Sequence, residues 1–336
     1  MKIHYSKHSA FTMIELIMVI VILGIVSSIG SEVIANVYQN YILQRATHRA
    51  SFKTELAAQQ IANMLSYRIQ GTTLARNPGN LSDNRLVTDS TDLNDTTHVL
   101  LEWIGTDNDG FSAALPPPWN GFCDVDASSQ TAIKTPGSKL IKERTILTKL
   151  SGGSIINPAI FFRKRDSDWI YSYDSSTSAI VKYEALRADG TGCLGMVSSD
   201  TSCISAVSIS ATDDETLTFT GSAATSTNKV ITEHYKLAWT AYSIVPMKPN
   251  TTTPCVYPPN GNDTICDLVL YYNYQPWNGV NLSTGWSQLS HSTIITNVSV
   301  FKFAESGNTF RFKICAQENI GADYNVTICK EKAIAL

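Results

Sequence analysis

The chain has 336 residues, with 29 acids against 26 lysines and arginines and a net charge of −3. That length accommodates one large domain or two small ones, and the near-balanced charge gives no bulk electrostatic case for nucleic acid as a partner. Seven cysteines are scattered without CxxC spacing, a pattern that suits disulfides in an oxidising compartment better than a zinc site.

The chain opens with MKIHYSKHSA, which carries Lys2 and Lys7 and no acid. An apolar run follows from Phe11 to Ile29, about the length a membrane-crossing helix needs. The lysines place the first ten residues in the cytoplasm and everything after residue 30 or so outside. A secretory signal peptide and a plain signal anchor both fit this outline. Neither explains Glu15, since a carboxylate inside a spanning helix costs a few kcal/mol and usually has a partner.

The run SAFTMIELIMVIVILG resembles the class III signal of type IV prepilins and type II secretion pseudopilins. Phe11 stands where the family has its first mature residue, Thr12 and Glu15 at the second and fifth positions, and Gly24 at the fourteenth. The resemblance implies cleavage between Ala10 and Phe11 by a prepilin peptidase and N-methylation of Phe11. It also implies assembly with other pilins or pseudopilins through the N-terminal helix, by way of an inner-membrane platform. The family's usual Gly before the cut is Ala10 here, and the Pro often found near the twenty-second mature position is replaced by Glu32. Energetics rationalise the role implied for Glu15. The freed amine of a neighbouring subunit, cationic near neutral pH, makes a buried carboxylate tolerable only in the correct register.

Past the membrane length, Ile34, Val37, Tyr38, Tyr41 and Ile42, then Phe52, Leu56, Ile61, Met64 and Leu65, recur at three- and four-residue spacing with no proline before residue 70. This predicts an unbroken helix whose second half lays its apolar face on a head, with Arg45, Arg49, Lys53 and Arg68 on a solvated or inter-subunit face. The expected domains are a cleaved leader (1–10), a membrane or filament-core helix (11–30), its amphipathic continuation (31–70) and an extracytoplasmic β-rich head (71–336).

Gly71 and a polar run end the helix. Residues 80–130 carry nine acids from Asp83 to Asp126 against Arg85 and read as solvated acidic loops. TDNDG, with Asp107 and Asp109, supplies the one calcium candidate, but the full EF-hand spacing fails at Gly105 and Pro116. Strands are expected in AIFFRKRD, in the two arms of DWIYSYDSSTSAIVKYEAL, in HYKLAWTAYSIV and in DLVLYYNYQPW. The clearest hairpin is SVFKFAESGNTFRFKIC, where apolar and polar residues alternate on both arms around Ser306, Gly307 and Asn308. YNVTICKEKAIAL supplies a closing strand. The fold class expected is therefore α+β, a long helix on a mainly antiparallel sheet.

Proximity suggests the disulfides Cys193–Cys203, Cys255–Cys266 and Cys315–Cys329, leaving Cys123 over; other pairings remain open. DLNDT and DYNVT match an acidic glycosylation sequon. No GxSxG, HExxH or Walker A motif is present, and GTGCLG at 190–195 lacks the helix a nucleotide loop needs. His48, His98, His234 and His291 stand alone. No catalytic residue and no cofactor are assigned. The expectation is a structural subunit, a minor pilin or pseudopilin that moves from the inner membrane to a filament or the cell surface. The alternative is an adhesive or ligand-binding head at a pilus tip.

Overall fold

The computed structural model describes residues 12–69, 71–87, 95–129, 131–162, 170–174, 179–183, 204–221, 231–255, 263–306, 309–320 and 324–335. Ala10, Phe11, Cys193, Cys203, the GTGCLG run and Asn94 of the first sequon lie outside them.

A single helix, α1 (Met13–Ser66, 54 residues), extends about 80 Å. It ends at Tyr67, whose N–H turns back onto Met64 and Leu65 carbonyls, and Gly71 at φ +80° then redirects the chain. In its second half one stripe is buried: Ala46, Ala50, Thr54, Ala57, Ala58, Ile61 and Leu65. Most of these side chains are small, so the sheet approaches the helix axis closely. The expected apolar face is thereby corrected in part. Ile61 and Leu65 pack inward, whereas Phe52 and Leu56 remain exposed. Their spacing alone cannot separate two stripes that lie on different sides of the same helix.

The strands that follow are β1 (Leu74–Asn77), β2 (Asn80–Leu86), β3 (Leu100–Ile104), β4 (Ala132–Lys134), β5 (Ala159–Phe162), β6 (Ile170–Asp174), β7 (Ala179–Tyr183), β8 (Ile204–Ile209), β9 (Thr216–Phe219), β10 (Tyr235–Ala238), β11 (Ala241–Met247), β12 (Cys266–Tyr274), β13 (Ser290–Ser306), β14 (Thr309–Ile320) and β15 (Tyr324–Ala335). Among the described residues, eight form one sheet in the order β15-β14-β13-β12-β11-β3-β1-β2, and five form a second, β10-β5-β8-β9-β4. Every pairing is antiparallel, including the separate β6–β7 hairpin. The architecture is α+β, as the sequence pattern predicts.

Alternation decides the faces of the large sheet. Leu101, Trp103, Ile244, Leu268, Leu270, Phe310, Phe312 and Ile314 join Ile61 and Leu65 beneath α1. The opposite face, with Leu100, Ile104, Val245, Val269 and Tyr271, packs with Ala159, Phe161 and Ile204 of the second sheet. In the β13–β14 hairpin, Phe301 lies opposite Ile314 and Phe303 opposite Phe312, the register the alternating sequence demands.

Two elements go beyond the expectation. HYKLAWTAYSIV is β-rich as expected but holds two strands, β10 and β11, because the chain crosses between sheets at Trp239 and Thr240. The buried Thr240 hydroxyl donates to the Ala241 carbonyl at 2.7 Å and accepts from the Tyr274 N–H at 3.3 Å, replacing ladder bonds lost at the crossing. KLIKERTILTKL, not assigned above, forms α3 (Leu140–Leu150) after the short α2 (Asn108–Ser112). Leu140, Glu143 and Leu147 bury one side of α3; an acidic residue type in the middle of that stripe hides its helical period.

Candidate assembly site on the N-terminal helix

Helix α1 begins with a capping box. Thr12 accepts the Glu15 N–H on its hydroxyl at 3.4 Å, while the Glu15 carboxylate accepts the Thr12 N–H at 3.1 Å and the Thr12 hydroxyl at 3.0 Å. These bonds satisfy amides that a helix start leaves open, and they fix Glu15 at the N-terminal rim of the helix. The signature Thr-x-x-Glu is present in the sequence as TMIE and could have been read there. A carboxylate oxygen has a further lone pair, so the cap does not exhaust Glu15 as an acceptor.

From Met13 to Ile29 the helix is apolar apart from Glu15, Ser27 and Ser28, and it is exposed on all sides: Ile14 is 71% exposed, Leu23 61% and Ile29 59%. Among the described residues one helix, α1, is long and apolar enough to cross a membrane, and none of that apolar window is buried within the chain. At Gly24 and Gly30 an added Cβ would meet nothing within 4 Å. The isolated chain therefore gives no packing reason for either glycine. A small residue in an apolar helix suits close approach by another helix.

The exposed apolar surface continues beyond the spanning length through Val37, Tyr38, Tyr41, Phe52 and Leu56, interrupted by Arg45 and Arg49. Of the expected cationic face, Arg49 and Lys53 both reach Glu318 of β14, at 3.7 and 3.3 Å. Glu55 binds Lys330 and Lys332 of β15 at 3.4 and 2.6 Å, and these hydrogen bonds hold its carboxyl below the ordinary glutamate range, Lys332 contributing most. Arg68 corrects the solvated reading. It is buried, donates to the Leu65 carbonyl at 2.8 Å, stands 3.6 Å from Glu305 and lies over the Phe310 ring at 5.0 Å. Burial raises the Glu305 carboxyl, and Arg68 partly offsets this.

Among the described residues two cysteine pairs are joined. Cys255–Cys266 ties the chain after β11 to the first residue of β12, and Cys315–Cys329 links directly opposite residues of β14 and β15. Cys123 is buried and free, its thiol pushed up chiefly by burial. β15 is thus held to the head covalently and to α1 by Glu55, which couples the closing strand to the helix it supports.

The acidic segment is not uniformly solvated. Glu102 is buried, paired with Arg76 and accepting the Tyr274 hydroxyl at 2.8 Å. His98 lies between Asp95 and Asp83, at 2.8 and 3.0 Å. Asp107 is buried, whereas Asp109 is exposed, so this pair does not converge on one point. Asn325 of the second sequon is exposed on β15.

Residues 5–31 match the family described as the prokaryotic N-terminal methylation motif. Comparison with curated proteins and with solved structures gave no match.

Proposed function

From the premise that the chain carries the class III signal of type IV pilin-like and pseudopilin precursors, we propose that it is a structural, non-catalytic subunit. A prepilin peptidase cleaves it between Ala10 and Phe11 and methylates Phe11. It then assembles as a minor pilin or pseudopilin with other subunits through α1. Before assembly it spans the inner membrane once, with its head in the periplasm. The observation that carries this reading is the apolar first half of α1, which packs against nothing in its own chain yet begins with a fixed carboxylate. In a filament that surface is buried by neighbouring helices, and Glu15 accepts the freed amine of an adjacent subunit.

The test separates charge from capping. Glutamine at the third helical position also completes a capping box, so Glu15→Gln should preserve the helix start and membrane insertion while reducing incorporation into filaments. If Glu15→Gln assembles as well as the natural chain, the carboxylate has no part in register.

A second reading, a ligand-binding head, draws on one groove of about 510 Å³, lined in part by Lys248, Asn250, Asp267, Tyr271 and His291. It opens on the sheet face away from α1, the direction that would face outward from a filament. Screening the full-length chain against an array of glycans tests it; a signal that survives His291→Ala combined with Asn250→Ala would place the ligand elsewhere.

A further inference from the structure

Just beyond the C-terminal end of α1, where the Thr106 N–H meets the Tyr67 carbonyl at 2.8 Å, two carboxyls are buried together. Asp107 is 1% exposed and Glu143, in the first turn of α3, is fully buried. Asp107 caps α2: Oδ1 accepts the Gly110 N–H at 2.8 Å and Oδ2 accepts the Trp119 Nε1–H at 2.9 Å. Neither oxygen of Glu143 meets an N–H or hydroxyl donor; the polar group beside it is the Asp107 carboxyl. The two acids close around the bare Cα of Gly110, where a methyl group would overlap Asp107 Oδ2 and Glu143 Oε1.

Among the described residues no cation pairs with either acid, and the charges and titratable groups acting on the pair are Asp109 from α2 and the Tyr242 hydroxyl from β11. On the side of α3, Lys139 reaches Asp214 at 3.5 Å and Lys142 is exposed. Two adjacent carboxylates in a dry site cannot both stay ionised. Burial raises Asp107 too, but this carboxyl accepts two N–H groups, which favour its charged form over that of Glu143. Glu143 accepts none, so of the two acids Glu143 is the one that carries a hydrogen.

We propose that Asp107 and Glu143 share one proton, carried by Glu143 at neutral pH, and that this O–H···O bond is a pH-sensitive clasp holding α3 to the end of the large sheet. A divalent cation fits less well. It takes six to eight oxygens in the case of calcium, and among the described residues no group of three or more ligating side chains gathers.

Burial first, and Asp107 second, push Glu143 up to about 10. The folded chain therefore keeps a proton that the unfolded chain releases. The clasp contributes fully below the ordinary glutamate range, and its contribution is lost as pH rises towards about 10, the folding equilibrium falling up to about tenfold per pH unit. The experiment is thermal unfolding of the full-length chain in detergent, followed by Trp fluorescence from pH 5 to 9, for the natural chain and Glu143→Gln. The glutamine keeps an N–H donor for Asp107 but cannot ionise. The expected result is a midpoint that falls with pH in the natural chain and falls distinctly less in Glu143→Gln. Equal pH slopes would overturn the proposal, as would a calcium-induced rise in midpoint that Glu143→Gln abolishes. Should the variant not fold, infrared spectroscopy of the natural chain at pH 7 decides. A protonated-carboxyl band that disappears on unfolding supports the clasp, and its absence overturns it.

Discussion

Glu15 shows how one side chain serves two structures. In the single chain it completes the N-terminal cap of α1; in the assembly proposed here it accepts a neighbour's amine. Glu15→Ala removes both functions, costing the helix start about 1 kcal/mol and leaving insertion intact but incorporation impaired, which fractionation of membranes and filaments measures. Arg68 is the opposite case, a charge that serves only the head. Arg68→Ala leaves Glu305 buried beside an empty space and should destabilise the fold by about 3 kcal/mol, read from urea unfolding. At this scale the sequence was legible where a residue conflicted with its surroundings. An acid inside an apolar run announces a partner. Arg68 at the end of an amphipathic helix announces nothing, because its neighbours Glu305 and Phe310 come from strands more than two hundred residues away.

The long helix and the β13–β14 hairpin could be read because their periods are local. Where two strands share a run, as at Trp239 and Thr240, or where a buried glutamate breaks an apolar stripe, as in α3, the local pattern misleads. Two consequences belong to the elements. Gly24→Leu should leave the thermal midpoint of the unassembled chain unchanged, since that position faces open space, but should weaken filament formation by blocking close helix approach. Replacing Cys315 and Cys329 together by alanine should cost about 3 kcal/mol in the chain-entropy model. It should also raise hydrogen exchange along β15 and in the part of α1 opposite Lys330 and Lys332.

The whole molecule divides its polar and apolar surfaces by height. Towards the N-terminus, α1 presents an apolar surface with no partner in its own chain. Around the middle, the same helix is fastened to β14 through Glu318 and to β15 through Glu55, and the Cys315–Cys329 bond ties those two strands to each other. At the far end, Asp107 and Glu143 join α3 to the sheet. The first of these levels was readable from sequence because membrane length and a charged exception are linear signals. The last was not, since the sequence pairs Asp107 with its neighbour Asp109 as a calcium candidate, and only folding brings Glu143 beside it. In the assembly proposed here, the head keeps its own core and the apolar stem is left for neighbouring helices to cover.

That division rests on the stem being released from its leader. Mass spectrometry of the chain recovered from filaments of a peptidase-competent cell tests this most directly. The account predicts a polypeptide that starts at Phe11 and bears a methylated amine; assembled chains that still begin at Met1 would contradict it.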